Sequence, residues 1–199
     1  PSSQGEIAFS TYNTERIRIN SLGSVGIGTT PPTTNAHPQL FLGAGSFLLG
    51  GTTGIGALDI GNNLYYNNGW KYRATGAATL LDFSGGGKLV YYTAPSGSAN
   101  AAATITTRFM VDNSGKVGIG TASPLDHLHI NDDSGDARIL LDGHTNFDAE
   151  LKFAEAGVVK YTIGHEAGTD SFVIGTTNVD TQKRLVVDSA GDVSIEKGN

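Results

Sequence analysis

The sequence predicts an all-β protein, and three observations predict it. One pattern recurs three times, as Arg16 to Gly28 (RIRINSLGSVGIG), Arg108 to Gly120 (RFMVDNSGKVGIG) and Arg184 to Glu196 (RLVVDSAGDVSIE). Between the copies, short apolar runs alternate with period two and are bounded by Gly, Pro, Asn and Asp. Glycine reaches 28 of 199 residues, about double its usual ~7% share, so bulky core-forming side chains are thin.

The repeated pattern reads as a β-hairpin. Asn20, Asp112 and Asp188 each stand three positions before a glycine, Gly23, Gly115 and Gly191. A side-chain acceptor at the first turn position, with Gly where φ must be positive, suits a type I turn closing into a G1 bulge. The flanks place Ile17, Ile19, Val25 and Ile27 on one face. Phe109, Val111, Val117 and Ile119, then Leu185, Val187, Val193 and Ile195, repeat that arrangement. The other face carries Arg or Gly.

The remaining elements follow in chain order. Residues 1–38 read as the end of an upstream repeat plus a Pro-rich linker, because Pro31, Pro32 and Pro38 disfavour a central strand. Residues 39–124 form a first complete unit. Its strand candidates are Leu40 to Leu42, Phe47 to Leu49, Ala57 to Ile60, Leu64 to Arg73, Leu80 to Phe83 and Lys88 to Thr93, followed by the low-complexity stretch Ala94 to Ala103 and the second hairpin. Asn68-Gly69 is the strongest two-residue hairpin signal in the chain. Residues 125–199 form a second unit, with Leu128 to Ile130, Arg138 to Leu141, Glu150 to Phe153, Val158 to Ile163 and Ser171 to Ile174 before the third hairpin. Ala149 to Ala156 has a helix-compatible composition, but Leu151 and Phe153 alternate, so it reads as strand.

Composition excludes whole classes of function. With no cysteine, disulfide frameworks, thiolate zinc sites and cysteine nucleophiles are excluded. The balance of 19 acidic against 13 basic residues leaves no basic stripe for nucleic acid. No apolar run approaches the ~20 residues a membrane span needs, and the opening at Pro1 shows no signal sequence. The chain therefore reads as a fragment or processed piece. Units of this size with few large side chains bury little alone. Completing the core between three identical chains is the economical solution. The expectation is a three-fold bundle of identical strands about a common axis, with a shared core of Ile19, Val25, Ile27, Val111, Val117, Ile119, Val187, Val193 and Ile195.

The segments Val25-Gly26-Ile27-Gly28-Thr29-Thr30-Pro31 and Val117-Gly118-Ile119-Gly120-Thr121-Ala122-Ser123-Pro124, the second followed by Leu128-His129-Ile130, resemble a motif of phage tail fibres. The third copy departs from it, with Ser194 and Glu196 replacing glycines. The resemblance implies an elongated homotrimeric fibre of the virion tail, prism-like or an intertwined β-sandwich, that joins other tail or baseplate proteins and attaches to host cell-surface polysaccharide. Similar repeats occur in bacterial surface proteins of prophage origin, so an adhesin or filament is an alternative. A tailspike-like polysaccharide depolymerase is another, and a monomeric carbohydrate-binding sandwich a third.

Signatures of catalysis are largely missing, and the chain is expected to be no enzyme and to need no cofactor. Gly-x-Ser-x-Gly does not occur, and His165-Glu166 lacks the second His of a zinc protease. Gly85-Gly86-Gly87-Lys88 lacks the spacing of a phosphate loop and reads as a turn. The Gly-Ile-Gly runs lie in strands, where they allow close backbone approach rather than dinucleotide binding. Asp132, Asp133 and Asp136 could pair across subunits for glycoside cleavage, but a solvated turn around Ser134-Gly135 is the simpler reading. His127 and His129 share a strand face, with Leu128 and Ile130 inward, so the histidines are expected outward and no metal is assigned. For glycan binding, a two-residue Asn68-Gly69 turn sets Asn67 against Trp70 and Tyr65 against Tyr72 on one face. Those rings make a stacking platform for sugar, unless they pack in the core or between chains; Tyr91 and Tyr92 pose the same alternative.

Overall fold

The computed structural model describes residues 5–31, 33, 38–43, 46–50, 58–84 and 86–196. Among these there are eighteen strands and no helix, so the all-β expectation holds. The chain packs as two units, 1–137 and 138–199.

The first unit carries an 11-stranded sheet and a small hairpin. Its strands are β1 (Ile7–Thr11), β2 (Thr14–Ile19), β3 (Val25–Ile27), β4 (Gln39–Leu42), β5 (Ser46–Gly50) and β6 (Leu58–Asn62). The hairpin β7 (Leu64–Tyr66) and β8 (Trp70–Tyr72) follows. Then come β9 (Gly76–Ser84), β10 (Lys88–Gly97), β11 (Thr106–Val111), β12 (Val117–Ile119) and β13 (Leu128–Ile130). Neighbours pair antiparallel except at β3–β4 and β12–β13, which are parallel. The second unit is a five-stranded antiparallel meander of β14 (Ala149–Glu155), β15 (Val158–Glu166), β16 (Ser171–Gly175), β17 (Lys183–Val187) and β18 (Val193–Ile195). The Ala149 stretch is thus strand. The packing division at 137/138 leaves β13 in the first unit, paired to β12, rather than opening the second.

The three repeats share one turn. Asn20 Oδ1 accepts from the backbone N–H of Leu22 and Ser24; Asp112 Oδ1 accepts from Ser114 and Lys116; Asp188 Oδ1 accepts from Ala190 and Asp192. Gly23, Gly115 and Gly191 take φ of 79°, 80° and 91°, a region that a Cβ disfavours. The same turn sets the same register: Ile19 against Val25, Val111 against Val117, Val187 against Val193.

The repeat is longer than its sequence motif. A strand precedes each hairpin (β1, β10 and β16) and pairs with its first strand through a register shift after Phe9, Tyr91 and Ile174. Arg16 Nε donates to Thr11 Oγ1 at 2.9 Å, and Arg108 Nε to Thr93 Oγ1 at 2.8 Å. Lys88 to Thr93 and Ser171 to Ile174 read as strands in sequence, but the weak similarity of IAFST, LVYYT and FVIGT hides their membership of the repeat.

Two expectations need correction. Residues 138–141 form no strand; Ile139 and Leu140 are exposed, and no described strand pairs with this segment. The Asn68-Gly69 turn holds three residues, not two, so Tyr66 opposes Trp70, Leu64 opposes Tyr72, and Tyr65 opposes Lys71. Residues 100–103 run along the outer side of β8, with Ala103 N–H donating to Trp70 O and Tyr72 N–H to Ala101 O. This third segment extends the ribbon in the shifted register, which sets Tyr65 and Tyr72 on opposite sides, where both are buried. The parts of the linker outside the residues given above remain beyond the described structure, as do Ala57 and Gly85.

Candidate assembly interface

Directly paired residues in a sheet project to the same face, so the register traces rows of side chains. One row crosses the whole first-unit sheet: Ile7, Ile19, Val25, Leu40, Leu48 and Ile60, then Leu81, Tyr91, Phe109, Ile119 and Ile130. No charge interrupts it. A second row on that face runs Leu58, Phe83, Leu89, Val111, Val117, Leu128. A third, shorter one joins Phe9, Ile17, Ile27 and Leu42.

This face lies open within the chain. Ile60 and Ile119 are each 42% exposed, although apolar neighbours flank both. The core lies on the opposite face. There Phe41, Ala78 and Leu80 pack with Leu64, Tyr65 and Tyr72 of the β7–β8 hairpin. Monomeric soluble proteins rarely expose apolar patches beyond a few hundred Å², and here aliphatic and aromatic side chains stand in register across eleven strands.

The second unit repeats the division. Leu151, Ile163, Ile174, Leu185 and Ile195 form one row, and Phe172, Val187 and Val193 lie beside it. Of these, Ile195 is 84% and Val193 65% exposed. The other face buries Thr162, Val173 and Val179.

All nine residues expected to form a shared core lie on these open faces: Ile19, Val25, Ile27, Val111, Val117 and Ile119 on the first, Val187, Val193 and Ile195 on the second. None of the nine is buried within the chain. Sequence reading missed others in the rows, notably Leu40, Leu48, Ile60 and Leu81. Their alternation was legible, but which strand they would sit beside was not.

The glycine motif shapes the face behind these rows. A Cβ at Gly26 would meet the Pro31 ring at 2.7 Å, and one at Gly118 would lie 3.1 Å from Met110 Cγ. The chain therefore folds back over each glycine, buries Pro31, and returns beside the hairpin as a parallel strand, β4 or β13. Arg73 ties this return down, with its guanidinium 4.7 Å from the Phe41 ring centroid and Nη2 donating to Thr29 Oγ1 at 2.7 Å.

Carboxylates cluster off the apolar rows. Asp59 and Asp82 face each other directly across β6–β9 and share a hydrogen bond. Burial, and then the neighbouring Asp82 charge, pushes Asp59 up to about 7. Burial likewise raises Asp82. In the second unit Glu166 accepts from Thr169 Oγ1 and from Lys183 Nζ at 2.9 Å. These partners, the threonine first, hold it below the ordinary carboxylate range.

The other candidate groups lie apart. Tyr65 and Tyr72 are 5% and 4% exposed. The Tyr65 hydroxyl donates to Asn100 Oδ1 and that of Tyr72 to the Pro95 carbonyl. Asn67 and Trp70 are half-buried at the ribbon tip, Trp70 edge-on to Tyr66. The expected four-residue platform is therefore not assembled: two of its rings serve the core. Asp132 caps its own turn, accepting from the Ser134 N–H and hydroxyl. His127 is exposed beside Asp126, and His129 Nδ1 accepts from the Leu125 N–H at 3.3 Å. Among the described residues no three such groups are arranged to hold a metal ion, and no helix is long and apolar enough to cross a membrane. No protein-family model matches the chain, and no curated protein matches its sequence.

Proposed function

We propose that the chain is a structural segment of a viral tail fibre of the phage type, which assembles as a homotrimer and serves attachment to host cell-surface glycan. The observation that carries this reading is the open apolar face of each sheet. A side-chain layer unbroken over eleven strands is stable in water only when something of similar extent covers it. A face of the same composition on another copy is the simplest cover, since a closed cyclic assembly turns the same face of every copy towards one shared axis.

The fibre role then follows from mechanics. Three chains sharing one interior give a stiff rod, and several rods on one particle raise weak sugar contacts to useful avidity. Because Tyr65 and Tyr72 are spent in the core, glycan contact in this segment is assigned to polar concavities. A cleft of about 330 Å³ lined by Thr106, Thr107, Thr121, Asn131 and Asp133 offers hydroxyls, an amide and a carboxylate. Other tail or baseplate proteins are the remaining partners.

Electron microscopy of the purified chain tests the proposal. Uniform slender rods are expected; compact round particles of single-chain size would contradict it.

A further inference from the structure

The outer edge of β18 is built like two edges that the chain fills with a parallel strand. In the first repeat β4 lies beside β3, pairing Val25 with Leu40 and Ile27 with Leu42. In the second, β13 lies beside β12, pairing Val117 with Leu128 and Ile119 with Ile130. The third repeat has the same turn and hairpin register. Yet β18 ends the order of its sheet, and no described strand pairs with its outer side. Ile195 is correspondingly twice as exposed as Ile27 and Ile119 (84% against 43% and 42%).

The chain cannot fill this edge in the way it fills the other two. Each parallel strand is delivered by a turn that crosses Gly26 or Gly118, with no room for a Cβ, and that begins at Gly28 or Gly120 with φ of +67° or +74°. Ser194 and Glu196 occupy those two positions in the third repeat. The serine blocks the crossing, and a positive φ is costly for glutamate. The edge remains while the local means of filling it is gone.

We propose that the β18 edge is filled by β14 of a second copy, pairing in parallel with the partner subunit's Leu151 against Val193 and the partner subunit's Phe153 against Ile195. This rests on the trimeric reading and specifies the strands that close it. Four successive antiparallel pairs make β14 and β18 point the same way. Rotation about an axis along the strands therefore brings β18 of one copy beside β14 of the next in parallel, as in the two internal precedents. Head-to-tail contacts of this kind close into a ring when three such rotations complete a turn. Leu151-Lys152-Phe153 has the apolar–polar–apolar pattern of Leu128-His129-Ile130, and Leu151 and Phe153 are themselves exposed. The pairing continues the row from Ile163 to Ile195 around the assembly without a free edge, which is the arrangement that avoids uncontrolled edge aggregation.

The test uses the absence of cysteine from the chain. Ser194 and the partner subunit's Lys152 would be direct neighbours, and adjacent strands ~4.8 Å apart fall within the ~4.4–6.8 Å Cα range of a disulfide. The double variant Ser194→Cys/Lys152→Cys, oxidised, is expected to give covalent trimers on a non-reducing gel, whereas each single variant gives none. In the unaltered chain, the Val193 amide is expected to exchange hydrogen as slowly as that of Val117, which donates to His127 O. Trimers by light scattering without cross-links and with a fast Val193 amide would overturn the pairing while leaving the trimer standing. Cross-linked dimers from Ser194→Cys alone would overturn it in favour of antiparallel β18–β18 contact. A single-chain mass would overturn both readings.

Discussion

A Cβ placed on Gly26 would stand 2.1 Å from the carbonyl oxygen of Thr29, closer than any real contact. The return of the chain over this glycine brings β4 beside β3, so the side chain and the turn cannot coexist. Gly26→Ala is expected to destabilise the first unit by about 1–3 kcal/mol through overpacking, read by chemical denaturation. Gly115→Ala, with nothing within 4 Å but φ of +80°, is expected to cost only the ~1–2 kcal/mol of a left-handed residue, with no shift of β4. Amide chemical shifts of β4 that stay unchanged in Gly26→Ala would contradict the crowding.

The three turn acceptors differ in chemistry at one shared position. Asn20 is buried and feeds two backbone N–H groups, so Asn20→Ala is expected to cost about 1–3 kcal/mol for the orphaned donors. Asp112 does the same work as a carboxylate, and the Lys116 and Ser114 N–H groups hold its pKa below the ordinary range. A lowered folded-state pKa contributes stability above the unfolded value that is lost as pH falls through the folded one. The second hairpin is therefore expected to loosen in acid and the first hairpin's turn not to. Asp112→Asn should abolish that difference in hydrogen exchange between pH 5 and pH 3.

Asp59 behaves in the opposite sense. With its folded-state pKa raised to about 7, its contribution is fully present below the ordinary carboxylate range and is lost as pH rises through about 7. Melting temperature is expected to fall between pH 5.5 and 8.5, and Asp59→Asn to flatten that dependence. An unchanged slope in the variant would show that the Asp59–Asp82 pair carries none of it.

How much of this was legible in sequence depends on the range of the interaction. The hairpin turn was, because its acceptor, its glycine and its alternating flanks lie within a dozen residues. The strands ahead of the second and third hairpins were legible as Lys88 to Thr93 and Ser171 to Ile174, but not as part of the repeat: IAFST and FVIGT share little beyond alternation, and the common register shift relates them. The Asn68-Gly69 register failed for the same reason, since the ribbon is hydrogen-bonded by residues 100–103 and packed on Phe41 and Leu80, all distant in sequence. Arg138 to Leu141 alternates locally but has no strand to pair with. Membership of the apolar rows depended on strand order, which local pattern does not encode.

The rows carry a prediction of their own. Ile119→Lys places a charge in the middle of the long row at a position that is 42% exposed within the chain. The sheet should tolerate it while its association does not. Expected are an unchanged far-ultraviolet circular dichroism spectrum and a loss of assembly. An assembled variant would show that the face is not a contact.

The most direct measurement is the mass in solution by light scattering across a dilution series. The account predicts a single species of three times 20.6 kDa that persists on dilution; a species of 20.6 kDa at every concentration, with the apolar rows open to solvent, would contradict it.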